Sequence, residues 1–238
     1  MRFLILLALA FFAPMLRAHD LAIPKNSRQL VLVSAASWSS HSGTLQRYSR
    51  AEAALPWRAI GRRVPVKIGR AGLAWGRGLG TTPRPGPQKR EGDGKSPAGV
   101  FALTSAFGYG PRPAGVKLTY ISARPGVEAV DDPRSRYYNR IVDRARIARA
   151  DWHSSEKMLL PRGDYRFGVV VAHNPRGIPG AGSCIFLHVA CGPRRGTSGC
   201  TAMPLRDIAE LQRWLDPGAN PVLLQAPHEW VPRIFLEN

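Results

Sequence analysis

Glycine and proline constrain this chain more than any other feature. It carries 24 glycines and 21 prolines in 238 residues. Proline breaks helix interiors and glycine is unfavourable inside them. The composition therefore disfavours a helical bundle and predicts short strands joined by many turns. With 44% apolar residues the chain can bury one sizeable core, and 21% charged residues exclude a disordered polyampholyte or a fibre.

The charge is lopsided. Lysine and arginine number 34 against 16 acids, a net +18, and most of the cations are arginine. Such a balance admits three readings: a nucleic-acid partner, arginine-rich codon usage, or work among anionic envelope polymers. The N-terminus discriminates among them. Met1-Arg2 is a short positive start, Phe3 to Pro14 is continuously apolar, and Leu16-Arg17-Ala18 offers a small residue at a cut site. That is the layout of a secretory signal peptide, with cleavage expected after Ala18. An uncleaved anchor is the alternative, because Leu16 is larger than the preferred small residue. The expected organisation is a signal peptide over 1–18 and one domain over 19–238. The expected location is the periplasm or another exported envelope compartment, with no transmembrane segment after signal removal. An exported protein does not meet chromosomal DNA, so no nucleic-acid partner is expected.

The pattern along the chain predicts a β-rich domain. Gln29 to Ala35 and Thr44 to Arg50 read as a hairpin. Further strands are predicted at 57–61, 63–69, 100–103, 117–122, 167–172, 183–189 and 221–225, with a long loop over 72–95. Asp131-Asp132-Pro133 resembles a helix start, followed by an arginine-rich stretch to 149 that reads as a solvated basic face or a carboxylate-binding wall. Pro204 to Leu215 has the periodicity of an amphipathic helix, with Leu205, Ile208, Leu211 and Leu215 on one face.

The chemistry concentrates in SCIFLHVACGPRRGTSGCTAMP, residues 183–204. Strand alternation puts His188 on the same side as Phe186 and Cys184. A loop then leads to Thr197-Ser198-Gly199-Cys200, close to the helix start. A strand end and a helix-entry loop joined in this way can bring His188 and Cys200 together. A thiol is mostly protonated at neutral pH; an imidazole beside it stabilises the thiolate or removes the proton during attack. A nearby helix N-terminus would lower the thiol pKa further. Gly199 permits a tight turn and leaves backbone N–H groups to face an oxyanion, and Thr197 and Ser198 offer hydroxyl donors. The plainer alternative is an ordinary turn before a helix. Three cysteines, Cys184, Cys191 and Cys200, leave at least one free thiol. A Cys191–Cys200 bridge would mask the nucleophile. A zinc site has enough ligands in these cysteines with His173 and His188, but lacks the paired spacings that dominate such sites, so no metal is expected. His173-Asn174 reads either as a cleft residue or as a turn-capping pair. Asp93 reads as a turn former.

These residues resemble the L,D-transpeptidase catalytic domain family (YkuD-type). The family ends in a strand bearing a His, a loop, and a Ser/Thr-x-Gly-Cys turn, matched here by His188 and Thr197-Ser198-Gly199-Cys200. GDGKSPAGVF, residues 92–101, resembles the family's strand entry, and PVKIG, residues 65–69, its preceding strand. The resemblance runs from about residue 29 to 225. It departs where the family's His before Gly-Cys is Ser198, where its Arg or Asn two residues after the Cys is Ala202, and in a shorter loop. Arg194, Arg195 and Arg206 are candidates to replace the missing cation.

The resemblance implies a mainly β fold with a few helices and a mixed sheet, sandwich- or barrel-like. It implies cysteine acyl transfer on peptidoglycan stem peptides, with no cofactor: Cys200 as nucleophile, His188 as base and Gly199 at the oxyanion. Thr197, Ser198, Arg194, Arg195 and His173 are the candidate substrate contacts. Resolution of the thioester by an amine gives a crosslinking transpeptidase, and by water an L,D-carboxypeptidase. A non-enzymatic basic module that holds envelope polymers is the remaining alternative. The oligomeric state is not legible.

Overall fold

The computed structural model describes residues 21–80, 85–192 and 196–235. The expected signal segment over 1–18, and Arg194 and Arg195, lie outside the described residues.

The strands are β1 (Gln29–Ala35), β2 (Ser42–Ser49), β3 (Arg58–Lys67), β4 (Leu73–Trp75), β5 (Ser96–Tyr109), β6 (Thr119–Ala123), β7 (Val127–Val130), β8 (Arg140–Asp143), β9 (Ser155–Lys157), β10 (Phe167–Val171), β11 (Phe186–Val189), β12 (Thr201–Met203) and β13 (Val222–Pro227). One α-helix, α1 (Leu205–Trp214), is present among the described residues. The main sheet runs β10-β11-β12-β3-β2-β1-β13-β5, and β5 pairs back onto β10. Those strands thus close into a mixed barrel, with β4 and β6 added along the long β5. Closure removes the sheet edges that would otherwise be unpaired. A separate sheet, β8-β7-β9, packs beside the barrel. The chain is mainly β and barrel-like, as its glycine and proline content requires.

The hydrophobic pattern explains the placement. β1 and β13 are apolar runs, pair in parallel and are buried almost throughout, as two-sided burial demands. α1 carries Ile208 and Leu211 into the main core while Leu205 stays exposed. Its buried Gln212 donates to the carbonyls of Phe107 and Gly168 at 2.8 and 2.6 Å. The helix thereby locks the β5–β10 seam that closes the barrel.

Several boundaries differ from the expectation. The strands foreseen at 57–61 and 63–69 are one strand, β3, because Gly61 at φ 69° lets the chain irregularity pass without a turn. The loop foreseen at 72–95 contains β4, whose three residues are all buried beside the start of β5. No α-helix follows Asp131-Asp132-Pro133. The Asp132 carboxylate instead accepts from the N–H groups of Arg134 and His153, closing a turn, and Asn139 at φ 63° redirects the chain into β8. The arginines of this region are largely exposed and pair with Asp132, Asp143 and Asp151.

Replacing Gln212 with Met keeps the volume but removes the side-chain donor from two carbonyls at the β5–β10 seam. The expected cost is about 2 kcal/mol, read as a lower urea midpoint at unchanged m-value.

Candidate active site

The turn that carries Cys200 is built by hydroxyl groups. Ser96, fully buried, donates from Oγ to the carbonyls of Gly199 at 2.7 Å and Cys200 at 3.1 Å and accepts the Gly69 N–H at 2.8 Å. Thr197 Oγ1 donates to the Cys200 carbonyl at 2.6 Å and accepts the Gly199 N–H at 3.1 Å. The backbone of Thr197 is zipped to the exit of β3 through Ile68 and Arg70. Gly199 sits at φ 153°, and a Cβ there would press on Ile185 and the Lys95 carbonyl. In the GDGKSP segment, Asp93 accepts from the N–H groups of Arg90 and Lys95 and from Lys89 Nζ. It forms the turn that delivers Ser96 to its place.

Cys200 does not enter a helix directly. β12 intervenes before α1, so the helix N-terminus lies about 10 Å of strand away and its dipole does not act on the thiol. β12 pairs in parallel with β11, setting His188 opposite Ala202. Cys200 and His188 consequently line one cavity of about 300 Å³, together with Glu156, Tyr165, Lys67, Lys157, Arg162, Asp164 and Cys191. The cavity opens where the barrel is thinnest: β12 meets β3 through the single pair Ala202–Lys67.

The thiol is buried beneath the small sheet, in a cluster with Phe107, Met158, Tyr165, Cys184 and Phe186. Its sulfur accepts the Phe186 N–H at 3.3 Å and donates to the Cys184 carbonyl at 3.6 Å. Burial pushes the Cys200 pKa up to about 12, the Glu156 charge adds to this, and the Phe186 N–H and Lys89 oppose it. His188 is stacked edge-on against Tyr165 at 5.4 Å between centroids. Its Nδ1 donates to the Val189 carbonyl at 2.8 Å, which leaves Nε2 as the basic nitrogen. Burial lowers the His188 pKa. Both members are therefore neutral at pH 7. Of the two roles open to the imidazole, this electrostatic setting matches proton removal during attack rather than a standing ion pair.

The other foreseen residues fall as follows. Ser198 Oγ is held by Arg70 Nη1 at 3.1 Å. Thr197 and Ser198 both line the cavity. The Gly199 N–H is spent on Thr197 and does not face the thiol cavity as an idle donor. His173 is not in this cavity. It is buried, accepts the Arg77 N–H at Nδ1 and donates to the Ala181 carbonyl from Nε2, and burial lowers its pKa to about 4. Its neighbour Asn174 closes the following turn through Ile178 and Gly182. Arg206 lies on α1 in a separate cavity with Asp207 and Glu210. The cations that do line the thiol cavity are Lys67, Lys157 and Arg162, with Arg162 bound to Asp164 at 2.6 Å. Glu156 and Tyr165 were also missed. Neither belongs to a spacing pattern; Glu156 comes from β9 packed against the barrel and Tyr165 from the turn before β10. All three cysteines are free thiols. Among the described residues no three His, Cys, Asp or Glu side chains converge in a metal-ligating arrangement. No helix among them is long and apolar enough to cross a membrane.

The sequence profile of the L,D-transpeptidase catalytic domain (YkuD) matches residues 57–224. The match covers most of the chain and includes every residue of the site just described. The chain belongs to this family, and its activity is accordingly a family activity on peptidoglycan. Neither curated proteins nor solved structures yielded a match.

Two outcomes follow from the site. Ser96→Ala removes the group joining β3, β5 and the nucleophile turn and is expected to cost about 1–3 kcal/mol, read by thermal or urea melting. Iodoacetamide labelling of Cys200 in the free protein is expected to be slower at pH 7–8 than for an ordinary thiol of pKa ~8.5, and to climb without a plateau up to about pH 10, since the folded thiol stays protonated below about 12.

Proposed function

We propose that the chain is an L,D-transpeptidase that forms or remodels peptidoglycan crosslinks through a Cys200 thioester. The observation that carries this reading is the joint placement of Cys200 and His188 on one cavity, with His188 Nδ1 committed to a backbone carbonyl. Cys200 Sγ attacks the carbonyl between the L-centre of a stem diaminopimelate and the terminal D-alanine. His188 Nε2 takes the thiol proton as the C–S bond forms and returns it to the leaving amine as the C–N bond breaks. An amine from a neighbouring stem then displaces the thiolate to give the crosslink. With water in its place the same thioester gives a shortened stem. Lys67, Lys157 and Arg162 supply positive charge for a substrate carboxylate at the cavity wall. The proposed setting is the cell envelope, reached by export on residues 1–18, with residues 19–238 forming the single catalytic domain. A non-enzymatic envelope-binding module has no use for a thiol and imidazole held in a shared cavity.

The test incubates the protein with tetrapeptide muropeptides and follows D-alanine release, products and protein mass. The expected result is an acyl-enzyme at Cys200. Cys200→Ala should abolish all turnover, and His188→Ala should slow acylation by about 10²–10⁴-fold, the range of a positioned general base. Turnover retained by Cys200→Ala sinks the mechanism.

A further inference from the structure

Glu156 lines the thiol cavity, and acyl transfer by Cys200 and His188 leaves it without a task. It stands on β9, lines the cavity and accepts a hydrogen bond from the Tyr165 hydroxyl. Tyr165 in turn packs edge-on against both His188 and Phe186, so the carboxylate is held by the same aromatic cluster that holds the base. Most other carboxylates of the described chain are paired with Lys or Arg, among them Asp93, Asp164, Asp207 and Glu210. Among the described residues Glu156 has no such partner. The charges it feels are acidic, from Asp131 and Glu91, and together with burial they raise its pKa. A half-buried carboxylate with no cation of its own is costly within the fold and is compensated when a ligand brings the cation.

We propose that Glu156, fixed by Tyr165 beside Cys200, is the receptor for the ammonium group of the acceptor, and that it directs the thioester to an amine rather than to water. The inference rests on the reading of Cys200 as nucleophile. An alkyl amine is protonated at neutral pH and is not nucleophilic in that form. The Glu156 carboxylate attracts the ammonium into the cavity and takes one proton from it. The freed amine forms the C–N bond to the thioester carbonyl as the C–S bond breaks. The second nitrogen proton passes through His188 to the departing Cys200 sulfur. The products are an amide, the free thiol, and a protonated Glu156 that releases its proton to solvent. Water can donate a hydrogen bond to the carboxylate but forms no ion pair with it, so the carboxylate concentrates the ammonium-bearing acceptor over water.

The test compares wild type with Glu156→Gln and Tyr165→Phe. Donor tetrapeptide and an amine-bearing acceptor tripeptide are supplied together, and acyl-enzyme mass, crosslinked product and hydrolysed product are measured. Glu156→Gln should still form the acyl-enzyme, while the ratio of crosslinked to hydrolysed product falls about tenfold or more. Tyr165→Phe should lower the ratio less. Independently of turnover, the acceptor tripeptide is titrated calorimetrically into Cys200→Ala and into Cys200→Ala/Glu156→Gln, with about tenfold weaker binding expected in the second. An unchanged product ratio, or binding indifferent to residue 156 or too weak to measure, overturns the role of Glu156. Absence of any acyl-enzyme in the wild type overturns the nucleophile instead, and the titration still decides Glu156.

Discussion

The Ser96 hydroxyl is the interaction on which the site depends. One side-chain oxygen ties the Gly69 N–H at the end of β3, its own position at the start of β5, and the carbonyls of Gly199 and Cys200. These segments are remote in sequence, and the backbone joins them through the short bridge between Gly69 and Thr197. Each bond is worth about 1 kcal/mol. Their combined effect is larger in kind, because the nucleophile turn lies at the place where β12 and β3 share a single ladder pair. Without the serine the barrel would be joined there by little else than Thr197 and its two backbone bonds to the β3 exit. The GDGKSP segment is thus read physically: Asp93 shapes a turn, the turn delivers Ser96, and Ser96 fixes the backbone that carries the sulfur.

The sequence makes much of this legible where local chemistry decides. β1, α1 and the strand bearing His188 follow from apolar periodicity, and the nucleophile turn from its Gly-Cys motif. The Asp93 turn follows from residue type. What was not legible depends on packing between segments far apart in the chain. β4 is only three residues long and takes its strand form from the start of β5. Glu156 reaches Cys200 because the small β8-β7-β9 sheet folds over the barrel, and Tyr165 from the turn that enters β10; nothing in the spacing of SSEKM announces the meeting. His173 shows the opposite error. It follows a buried strand as a cleft residue would, yet both its ring nitrogens are consumed by backbone groups nearby.

Surface and interior electrostatics run in opposite senses. The surface carries the excess of arginine, which suits the anionic wall polymers on which the family acts. Around the sulfur the sense is reversed: the Glu156 charge and burial keep the thiol protonated, and burial keeps His188 neutral. Burial of both groups would make a standing thiolate–imidazolium pair costly, because both ions would lose hydration. A neutral pair avoids that cost, and on the proposed mechanism charge separation is deferred to the moment of attack, when the substrate carbonyl accepts the developing charge.

That deferral matters for a free thiol working in the setting proposed here. Outside the reducing cytoplasm, alkylation and oxidation select cysteines with thiolate character and exposure. Cys200 has neither at rest: its sulfur is buried and its hydrogen bonds go to the backbone at Cys184 and Phe186. Cys191, on the same cavity, has its pKa raised by burial and by Asp164. On the proposed mechanism, the substrate both displaces water and brings the amine that neutralises Glu156. The acceptor arrives after the thioester has formed, so on that mechanism the relief eases departure of the Cys200 sulfur, while burial shields the resting thiol.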